Sequence, residues 1–406
     1  MSTSDLQDVI ARYWGYTTFR PLQREAMEAV LAGRDSLVVL PTGGGKSLCF
    51  QAPAVVRPGL ALVVSPLISL MKDQVDTLVG NGVPAALYNS SLAPGEKADV
   101  VAGLRRGRYR LLYVSPERLV GDGSDSFLAL LSSCRVSFVA VDEAHCISQW
   151  GHDFRPEYRQ LGRLRQLLPG VSLHAYTATA TAAVRKDIAG QLGLNDPLEF
   201  VGSFDRPNLV YRALPRATLK KQLLDVLARH RREAGIVYCT SRREVLALAE
   251  WLTSLGVTAL PYHAGLSDTE RSRNQDAFLS ERADVIVATV AFGMGIDRSD
   301  VRFVVHAGAP RSLEHYQQES GRAGRDSLEA ECLLIYSAAD FQKWRVMLEQ
   351  NGELTEAARR LLRQMERYAT SVGCRHRHLS EYFGDRYGRD GCAACDYCLD
   401  ELEAAA

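Results

Sequence analysis

Two short segments of the chain carry the residue types that nucleotide hydrolysis requires, and each follows an apolar run typical of a buried strand. The first segment, residues 42–47, reads TGGGKS. Glycines let backbone N–H groups approach phosphate oxygens, a lysine reaches the β- and γ-phosphates, and a serine hydroxyl ligates Mg²⁺. The strict phosphate-loop pattern has glycine where this chain has Leu40, so an incidental glycine-rich turn is the alternative. The predicted nucleotide-binding residues are Thr42, Gly43, Gly44, Gly45, Lys46 and Ser47.

The second segment, residues 142–145, reads DEAH. We expect Asp142 to hold Mg²⁺ through water and Glu143 to orient or deprotonate the attacking water. Taken alone, the tetrapeptide also fits a helix N-cap followed by an acidic residue. Together with the phosphate loop upstream, it predicts a site that hydrolyses a nucleotide. We expect His145, with Thr177 and Thr179, to connect this site to a cleft between two domains.

A third segment, residues 317–326, reads QQESGRAGRD and supplies two arginines three positions apart. We predict a helix here, which would place Arg322 and Arg325 on one face, able to reach a γ-phosphate. An arginine placed in this way accelerates phosphoryl transfer by roughly 10³–10⁵-fold. A solvated arginine pair held in salt bridges is the alternative for this segment alone. The nucleotide site upstream favours the catalytic interpretation.

Four cysteines near the end of the chain have the spacing of a metal site. Two-residue gaps separate Cys392, Cys395 and Cys398, and Cys374 lies upstream. Four thiolates in a reducing compartment fit a structural Zn²⁺ better than disulfides do. His376 or His378 could replace one cysteine as a ligand, and an iron–sulfur cluster is a further alternative. Nearby arginines, which either contact phosphates or form a solvated helix face, are Arg363, Arg367, Arg375 and Arg377.

The elements that must position these residues alternate along the chain. Short apolar, β-branched runs alternate with helical patterns in both halves, as in parallel sheets covered by helices. The proline-bearing stretch 195–220 breaks this alternation, so we place a domain boundary there. After residue 337 the pattern is helical, and Asn351-Gly352 is expected to end one helix before the next begins. The predicted domains are residues 1–200, 201–336 and 337–406.

Composition excludes several classes of protein. The 406 residues are 46% hydrophobic and 24% charged, with a formal net charge of zero, which is typical of a globular protein without a global basic field. The N-terminus lacks the apolar core of a secretory signal, and no apolar run is long enough to span a bilayer. We expect a cytoplasmic protein, in which five scattered cysteines are buried thiols.

In combination, these segments resemble superfamily-2 helicases of the DEAH-box type, and more closely the RecQ family of DNA helicases. Residues 16–23, YTTFRPLQ, are similar to the adenine-recognition motif of that family. The resemblance implies that Tyr16 and Arg20 sandwich the base, that Gln23 contacts its N6/N7 edge, and that Asp297 touches the ribose. Further matching segments are residues 65–74, 115–118 and 288–297. The implied fold is α/β, with two tandem RecA-like parallel-sheet domains followed by a small helical zinc-binding module.

The segment that distinguishes RecQ proteins from their relatives is residues 148–158, SQWGHDFRPEY. Aromatic side chains on a loop can stack on unpaired bases without sequence preference, at about 1–3 kcal/mol per base. We expect Trp150, His152, Phe154 and Arg155 to sense DNA and transmit the signal to Glu143. Packing beneath the loop is the alternative for each aromatic residue. Replacing Trp150 should reduce DNA-stimulated hydrolysis more than basal hydrolysis.

The resemblance implies an ATP- and Mg²⁺-dependent helicase that moves 3′ to 5′ on single-stranded and forked DNA, in repair and recombination. Family members continue into winged-helix and HRDC domains, whereas this chain ends at Ala406, so it resembles a bacterial catalytic core without them. One alternative is therefore a DNA-stimulated ATPase that translocates without efficient unwinding. Another is a DNA-binding or annealing scaffold with ATP as a switch. We expect a monomer that does not interact with membranes.

Overall fold

The computed structural model of the chain describes residues 3–121, 124–149, 153–293 and 298–402, with the side chains of residues 3–5 excepted. The chain forms two compact units, of which the first ends at Gly202 and the second begins at Ser203. Within the described residues, no helix combines the length and apolarity needed to cross a lipid bilayer. The predicted three-domain limits stay predictions.

The first unit is built on a seven-stranded parallel sheet in the order β3-β4-β2-β5-β6-β1-β7. Its central strands are buried on both faces and rich in valine and leucine, as expected for a parallel sheet covered by helices. The strands are β1 (Ser36–Val39), β2 (Leu60–Val64), β3 (Ala85–Tyr88), β4 (Leu111–Val114), β5 (Val136–Val141), β6 (Ser172–Thr177) and β7 (Leu198–Val201). The helices are α1 (Thr3–Trp14), α2 (Gln23–Ala32), α3 (Leu48–Val56), α4 (Ile68–Gly80), α5 (Pro94–Arg105), α6 (Glu117–Val120), α7 (Ser124–Ser133), α8 (Pro156–Arg159), α9 (Leu164–Leu167) and α10 (Ala182–Leu192). Two 3₁₀ helices span Ala144–Ile147 and Gln160–Arg163.

The second unit is built on a six-stranded parallel sheet in the order β10-β11-β9-β12-β13-β8. Its strands are β8 (Leu209–Pro215), β9 (Ala234–Tyr238), β10 (Ala259–Tyr262), β11 (Val285–Ala288), β12 (Val301–His306) and β13 (Ala330–Tyr336). Its helices are α11 (Leu219–Arg229), α12 (Arg242–Ser254), α13 (Asp268–Leu279), α14 (Leu313–Ser320), α15 (Ala338–Gln350), α16 (Glu356–Thr370) and α17 (Arg375–Tyr382). Two parallel-sheet units followed by a helical segment confirm the predicted fold class.

Sheet order brings the predicted nucleotide segments of the first unit together. Strands β5, β6 and β1 are adjacent, and the DEAH, Thr177–Thr179 and phosphate-loop segments follow their carboxyl ends in that order. Carboxyl ends of parallel strands meet at one edge of a sheet, where open α/β sheets bind ligands. Segments separated by about a hundred residues in sequence therefore share one site.

The prediction that residues 195–220 interrupt the α/β alternation is confirmed, because β7 and β8 follow one another with no helix in the described residues between them and belong to different sheets. Pro197 immediately precedes β7, and Pro215 is the last residue of β8. Each strand lies at the edge of its sheet, where the missing N–H of proline costs no ladder hydrogen bond. The predicted break between two C-terminal helices is confirmed: α15 ends at Gln350, α16 begins at Glu356, and Gly352 has a φ of +69°.

Candidate nucleotide site and cysteine cluster

The segment between β1 and α3 folds as a tight glycine loop. Gly43 and Gly45 have φ values of +79° and +77°, which L side chains rarely adopt. The Gly44 N–H donates to the Pro41 carbonyl at 2.8 Å. The loop leads directly into the N-terminus of α3, where unpaired N–H groups favour an anion. Leu40, which departs from the strict pattern, is buried in the core of the first unit.

Gln23 lies across this loop. Its Nε2 is 3.2 Å from the Gly45 carbonyl and 3.4 Å from that of Gly44, and its Oε1 accepts from the Arg20 N–H at 2.8 Å. Gln23 is buried, whereas Tyr16 and Arg20 are exposed. The structure thus links the predicted adenine motif to the phosphate loop through Gln23. The proposed contacts with the base stay predictions.

Asp142 and Glu143 form a buried carboxylate pair at the end of β5. Burial and the adjacent Glu143 raise the pKa of Asp142 to about 7, although Lys46 acts in the opposite direction. The Glu143 N–H donates to Asp142 Oδ1 at 3.0 Å. Two neighbouring carboxylates that repel each other in the protein interior are stabilised by a cation, and carboxylate oxygens suit Mg²⁺. The residues present therefore fit the predicted metal.

The backbone of Glu143 is strained. Its φ of +48° and ψ of +44° lie in the left-handed region, which costs a residue other than glycine roughly 1–3 kcal/mol. The strained residue ends the sheet at Val141 and starts the 3₁₀ helix at Ala144. The strained residue is the one predicted to orient the attacking water. Strained backbone conformations are concentrated at functional sites, and this residue follows that pattern.

His145 lies beside the carboxylate pair and contacts β6. Its Nδ1 is 2.9 Å from Thr177 Oγ1 and 3.3 Å from Glu143 Oε2. Burial lowers the pKa of His145 to about 4, so the imidazole is neutral at pH 7. The Thr179 N–H donates to Thr177 Oγ1 at 3.3 Å. The structure brings together the predicted set His145, Thr177 and Thr179 next to Glu143.

The loop that follows is only partly described. Trp150 and His152 lie outside the described residues, as does Asp297 in the second unit. Phe154 is 36% exposed. Arg155 donates from Nη1 to the Pro66 carbonyl at 3.0 Å, and its N–H donates to the Cys146 carbonyl at 2.9 Å. Arg155 thus connects the loop to the segment after β2.

Arg322 and Arg325 do not lie on a helix, which corrects the sequence prediction. Helix α14 ends at Ser320, and both arginines belong to turns that contain Gly321 and Gly324. Gly324 has a φ of +55°, so the helix cannot continue through it. Arg322 is 4% exposed, whereas Arg325 is partly exposed. Their placement depends on this turn rather than on a helical face.

The four predicted cysteine ligands converge. The sulfur atoms of Cys374, Cys392, Cys395 and Cys398 all lie within 4.8 Å of one another. Neither histidine alternative belongs to this group. Both ring nitrogens of His376 face oxygen acceptors, with Nδ1 at 2.6 Å from Asp205 Oδ1 and Nε2 at 2.9 Å from the Leu209 carbonyl. His378 packs edge-on against Tyr368. The four thiols fit a tetrahedral Zn²⁺.

The cysteine segment is attached to the edge of the second sheet. The backbone N–H of Tyr211 in β8 donates to the Ala394 carbonyl at 3.1 Å, and the Tyr211 carbonyl accepts from the Asp396 N–H at 3.0 Å. Asp396 also forms a buried ion pair with Arg375, at 2.9 Å from Oδ1 to Nε. Arg375 is therefore not available to phosphates, which corrects its inclusion among the predicted exposed arginines. The edge strand is covered rather than exposed.

Comparison with known proteins assigns the chain to a family. Three family models match in succession: the DEAD/DEAH box helicase over residues 20–188, the helicase conserved C-terminal domain over 218–327, and the RecQ zinc-binding domain over 338–399. The ATP-dependent DNA helicase RecQ of Bacillus subtilis is 43% identical over 402 residues, which cover 98% of this chain and 67% of that protein. The chain belongs to the RecQ helicase family. The predicted family is confirmed.

Other relatives extend beyond the matched region. The RecQ helicases of Pasteurella multocida and Haemophilus influenzae are 48% and 46% identical, over 97% of this chain but 62% and 63% of their own lengths. The chain thus spans a little over three fifths of these relatives. Among solved structures, Mycobacterium smegmatis helicase Lhr bound to ssDNA and AMP-PNP aligns with a TM-score of 0.66 at 22% identity, covering 86% of this chain and 50% of that one. The DEAD-box helicase Mss116 bound to ssRNA aligns with a TM-score of 0.67 at 16% identity, and the alignment covers 86% of this chain and 76% of that one. These structures share the fold.

Sequence reasoning missed residues that hold the site from behind. The buried Tyr158 hydroxyl donates to the Asp142 carbonyl at 3.0 Å, tying α8 to the carboxylate pair. Gln51 donates to Gln74 Oε1 at 3.3 Å and to the Tyr113 hydroxyl at 2.9 Å. The sequence signal for Tyr158 was its place in the RecQ-specific segment. Nothing in the sequence pointed to Gln51.

Proposed function

We propose that the chain is an ATP-dependent DNA helicase core that couples hydrolysis to 3′-to-5′ movement on single-stranded DNA and to duplex unwinding. The observation that carries this proposal is the convergence of the phosphate loop and the Asp142–Glu143 pair at one edge of the sheet, at the ends of β1 and β5 on either side of β6, in a RecQ-family chain. The relatives with 43–48% identity are named ATP-dependent DNA helicases.

In the proposed mechanism, each residue acts on a defined part of the nucleotide. The backbone of the phosphate loop and Lys46 bind the phosphates. Ser47 and Asp142 would hold Mg²⁺, which neutralises charge on the β- and γ-phosphates when bound. Glu143 orients or deprotonates the attacking water. Tyr16, Arg20 and Gln23 recognise the base, and Asp297 contacts the ribose. Arg322 and Arg325 stabilise the charge that develops in the transition state.

DNA would control this chemistry through the loop after the DEAH segment. A base would stack on Trp150 or Phe154, and His152 would add a further contact with DNA. Arg155 donates to the Pro66 carbonyl and Tyr158 donates to the Asp142 carbonyl, so DNA binding to the loop would be felt by the segment after β2 and by the Asp142 backbone. His145 would transmit the change to Thr177 and Thr179. Hydrolysis would then be fast only when DNA is bound.

The cysteine cluster would bind one structural Zn²⁺. All four positions are supplied by protein thiols, so no coordination site remains for a substrate. The ion would fix the segment that covers β8. We propose single-stranded and forked DNA as the partners, a role in repair or recombination in the bacterial cytoplasm, and a monomeric state.

Two assays run together test the function. The full chain is measured for ATP turnover with and without single-stranded DNA, and for unwinding of a 3′-tailed fork. We expect DNA-stimulated turnover and unwinding, both abolished by Lys46→Ala. Lys186→Ala, an exposed lysine of α10, is the matched control and should keep both activities. Turnover without unwinding favours the translocating ATPase, and DNA binding without turnover favours the scaffold.

A further inference from the structure

The segment that precedes β8 holds the turn that carries Arg322 and Arg325. Arg206 donates from Nη2 to the carbonyls of Ala323 at 3.1 Å and Gly324 at 2.8 Å, and from Nη1 to that of Gly321 at 3.4 Å. These three carbonyls lie in the turn that follows the C-terminus of α14, and that of Gly324 also accepts from the Ser327 N–H at 3.1 Å. One guanidinium therefore satisfies the turn on which the two arginines sit.

Asn208 completes the contact from the same segment. Its Nδ2 donates to the Gly324 carbonyl and to the Leu328 carbonyl, both at 2.9 Å. A Cβ added at Gly324 would lie 2.5 Å from this Nδ2. The amide thus fits closely against the glycine that reverses the chain between Arg322 and Arg325.

The segment itself is fixed from the opposite side. Asp205 Oδ1 is 2.6 Å from His376 Nδ1, whose ring is fully buried beside the cysteine segment. The Leu209 N–H donates to the Arg206 carbonyl at 2.9 Å, which joins the segment to β8. Arg206 is therefore anchored through its neighbour Asp205 and through its own carbonyl, and can act as a rigid support for the turn.

We infer that Arg206 and Asn208 are positioning residues for Arg322 and Arg325, and hence set the rate of ATP hydrolysis without contacting the nucleotide. This inference rests on the proposed function. A planar fork with fixed donors is required to reach three carbonyls at once, and lysine supplies only a point charge on a flexible stem. A displacement of about 1 Å at a reacting geometry can cost on the order of 10²-fold in rate.

The test compares kcat and KM for ATP in the presence of saturating single-stranded DNA. Arg206→Gln, Arg206→Lys and Asn208→Ala should each lower kcat, with Arg206→Gln losing at least about tenfold, while the KM for ATP changes less than about twofold. The phosphate loop and the adenine motif belong to the first unit and are unaltered. Arg212→Gln is the matched control: it removes a half-buried arginine of β8 that pairs with Glu401 and Glu331 rather than with the turn, and should leave kcat within about twofold.

A double-mutant cycle separates positioning from a general structural effect. In a background that carries both Arg322→Ala and Arg325→Ala the turn has lost its acting groups, so adding Arg206→Gln should lower kcat by less than about twofold. Independent, multiplicative losses would overturn the inference, as would a folded Arg206→Gln chain with the kcat of the unmodified protein. If Arg206→Gln does not fold, Arg206→Lys and Asn208→Ala decide by the same measurements. An unmodified chain without DNA-stimulated turnover would count against the proposed function instead.

Discussion

At the scale of single residues, the chain buries two adjacent carboxylates in the interior of its first unit. One of them has a strained backbone, and a hydrogen bond from the interior fixes the backbone of the other. Glu143 adopts a left-handed backbone conformation, and Tyr158 bonds the Asp142 carbonyl from beneath. Burying charge without a partner lowers stability. The arrangement is therefore unfavourable until a cation binds, which would couple the stability of the site to the proposed metal and nucleotide.

This coupling predicts the effect of Asp142→Asn on stability without metal or nucleotide. The folded-state pKa of Asp142 is about 7, above the usual 3.8, so the native state binds the proton more tightly than the unfolded state. Native stability is therefore lost as pH rises from about 4 to about 7, and the penalty is complete above that. We expect the variant to match the unmodified chain at pH 4.5 and to exceed its free energy of unfolding by on the order of 1–4 kcal/mol at pH 8.

Urea denaturation at the two pH values measures this difference. Asp300→Asn is a control of opposite sign, because a hydrogen bond from Arg298 lowers the pKa of Asp300. That carboxylate stabilises the native state above about pH 4 and loses its contribution only below it, so its removal should destabilise the chain by a similar amount at pH 8 and at pH 4.5. An Asp142→Asn variant that is less stable than the unmodified protein at pH 8 would contradict the prediction.

Arg155 joins the RecQ-specific loop to the segment after β2 through its hydrogen bond to the Pro66 carbonyl. We expect Arg155→Gln to reduce the DNA-stimulated ATPase rate by about tenfold, and the basal rate by much less, because ordering of the loop no longer reaches Pro66. Steady-state turnover with and without single-stranded DNA measures the ratio. Arg163→Gln, an exposed arginine in the following 3₁₀ helix, should leave the ratio unchanged. An equal loss of both rates for Arg155→Gln argues for a structural role.

At the scale of elements, α16 carries a one-sided basic surface. At 100° per residue, its exposed arginines fall within an arc of about 100°, while the buried residues occupy the opposite face against the second sheet. The arginines are Arg359, Arg360, Arg363 and Arg367, and the buried residues are Leu362, Met365, Tyr368 and Ala369. A chain without net charge can thus present a local surface for DNA phosphates, although Glu356 pairs with Arg363.

Replacing the four arginines of this surface by glutamine should weaken DNA binding in a salt-dependent way. Each phosphate contact contributes about −0.9 to the slope of log K against log salt, so the slope should become less steep by about 2–4. Titrations of labelled duplex and single-stranded DNA at salt concentrations from about 50 to about 200 mM measure the slope for each kind of DNA. Glutamine at Lys220, Lys221, Arg231 and Arg232, four exposed cations of the same unit, is the control. An unchanged slope would mean a solvated helix face.

How much the sequence could predict also differs by element. Strands such as β5 and β6 can be recognised in the sequence because their buried residues are continuous. Strand β13 cannot be recognised in the same way, because Glu331 interrupts its apolar run. The structure shows that this buried carboxylate is paired with Arg229 and His230, and hydrogen bonds and charge from these partners lower its pKa to about 2 in spite of burial. Partners about a hundred residues away cannot be recognised from the strand itself.

The site shows the same division between local and distant information. The phosphate loop and the DEAH segment are contiguous, so spacing alone predicted Lys46, Asp142 and Glu143. The helix predicted at Arg322 failed because α14 ends at Ser320, and the supporting contacts come from Arg206, 115 residues or more before the turn. Contacts of this separation are fixed by the topology of the sheet, which residue spacing does not encode.

At the scale of the whole molecule, each unit has its own core and its own proposed ligand. The first core is centred on Phe50, Tyr113 and Tyr176, beneath the nucleotide segments. The second core includes two proposed zinc ligands, Cys374 and Cys395. A ligand that binds only the native state stabilises the unit that binds it, by about 2.7 kcal/mol at one hundred times its Kd.

We therefore predict that nucleotide and zinc act on different units. ADP with Mg²⁺ lacks the γ-phosphate that Arg322 and Arg325 would contact. It should therefore slow amide hydrogen exchange in β1, α3 and β5, and leave the exchange rates in β13 and α17 unchanged within error. A zinc chelator should speed exchange in β8, α16 and α17 and leave β1 unchanged. Hydrogen exchange read by mass spectrometry resolves these segments. Lys46→Ala should remove only the response to ADP, and Cys395→Ser only the response to the chelator. Equal protection of both units by ADP would show that the nucleotide stabilises the molecule as one cooperative body, because local stabilisation cannot spread between independently unfolding units.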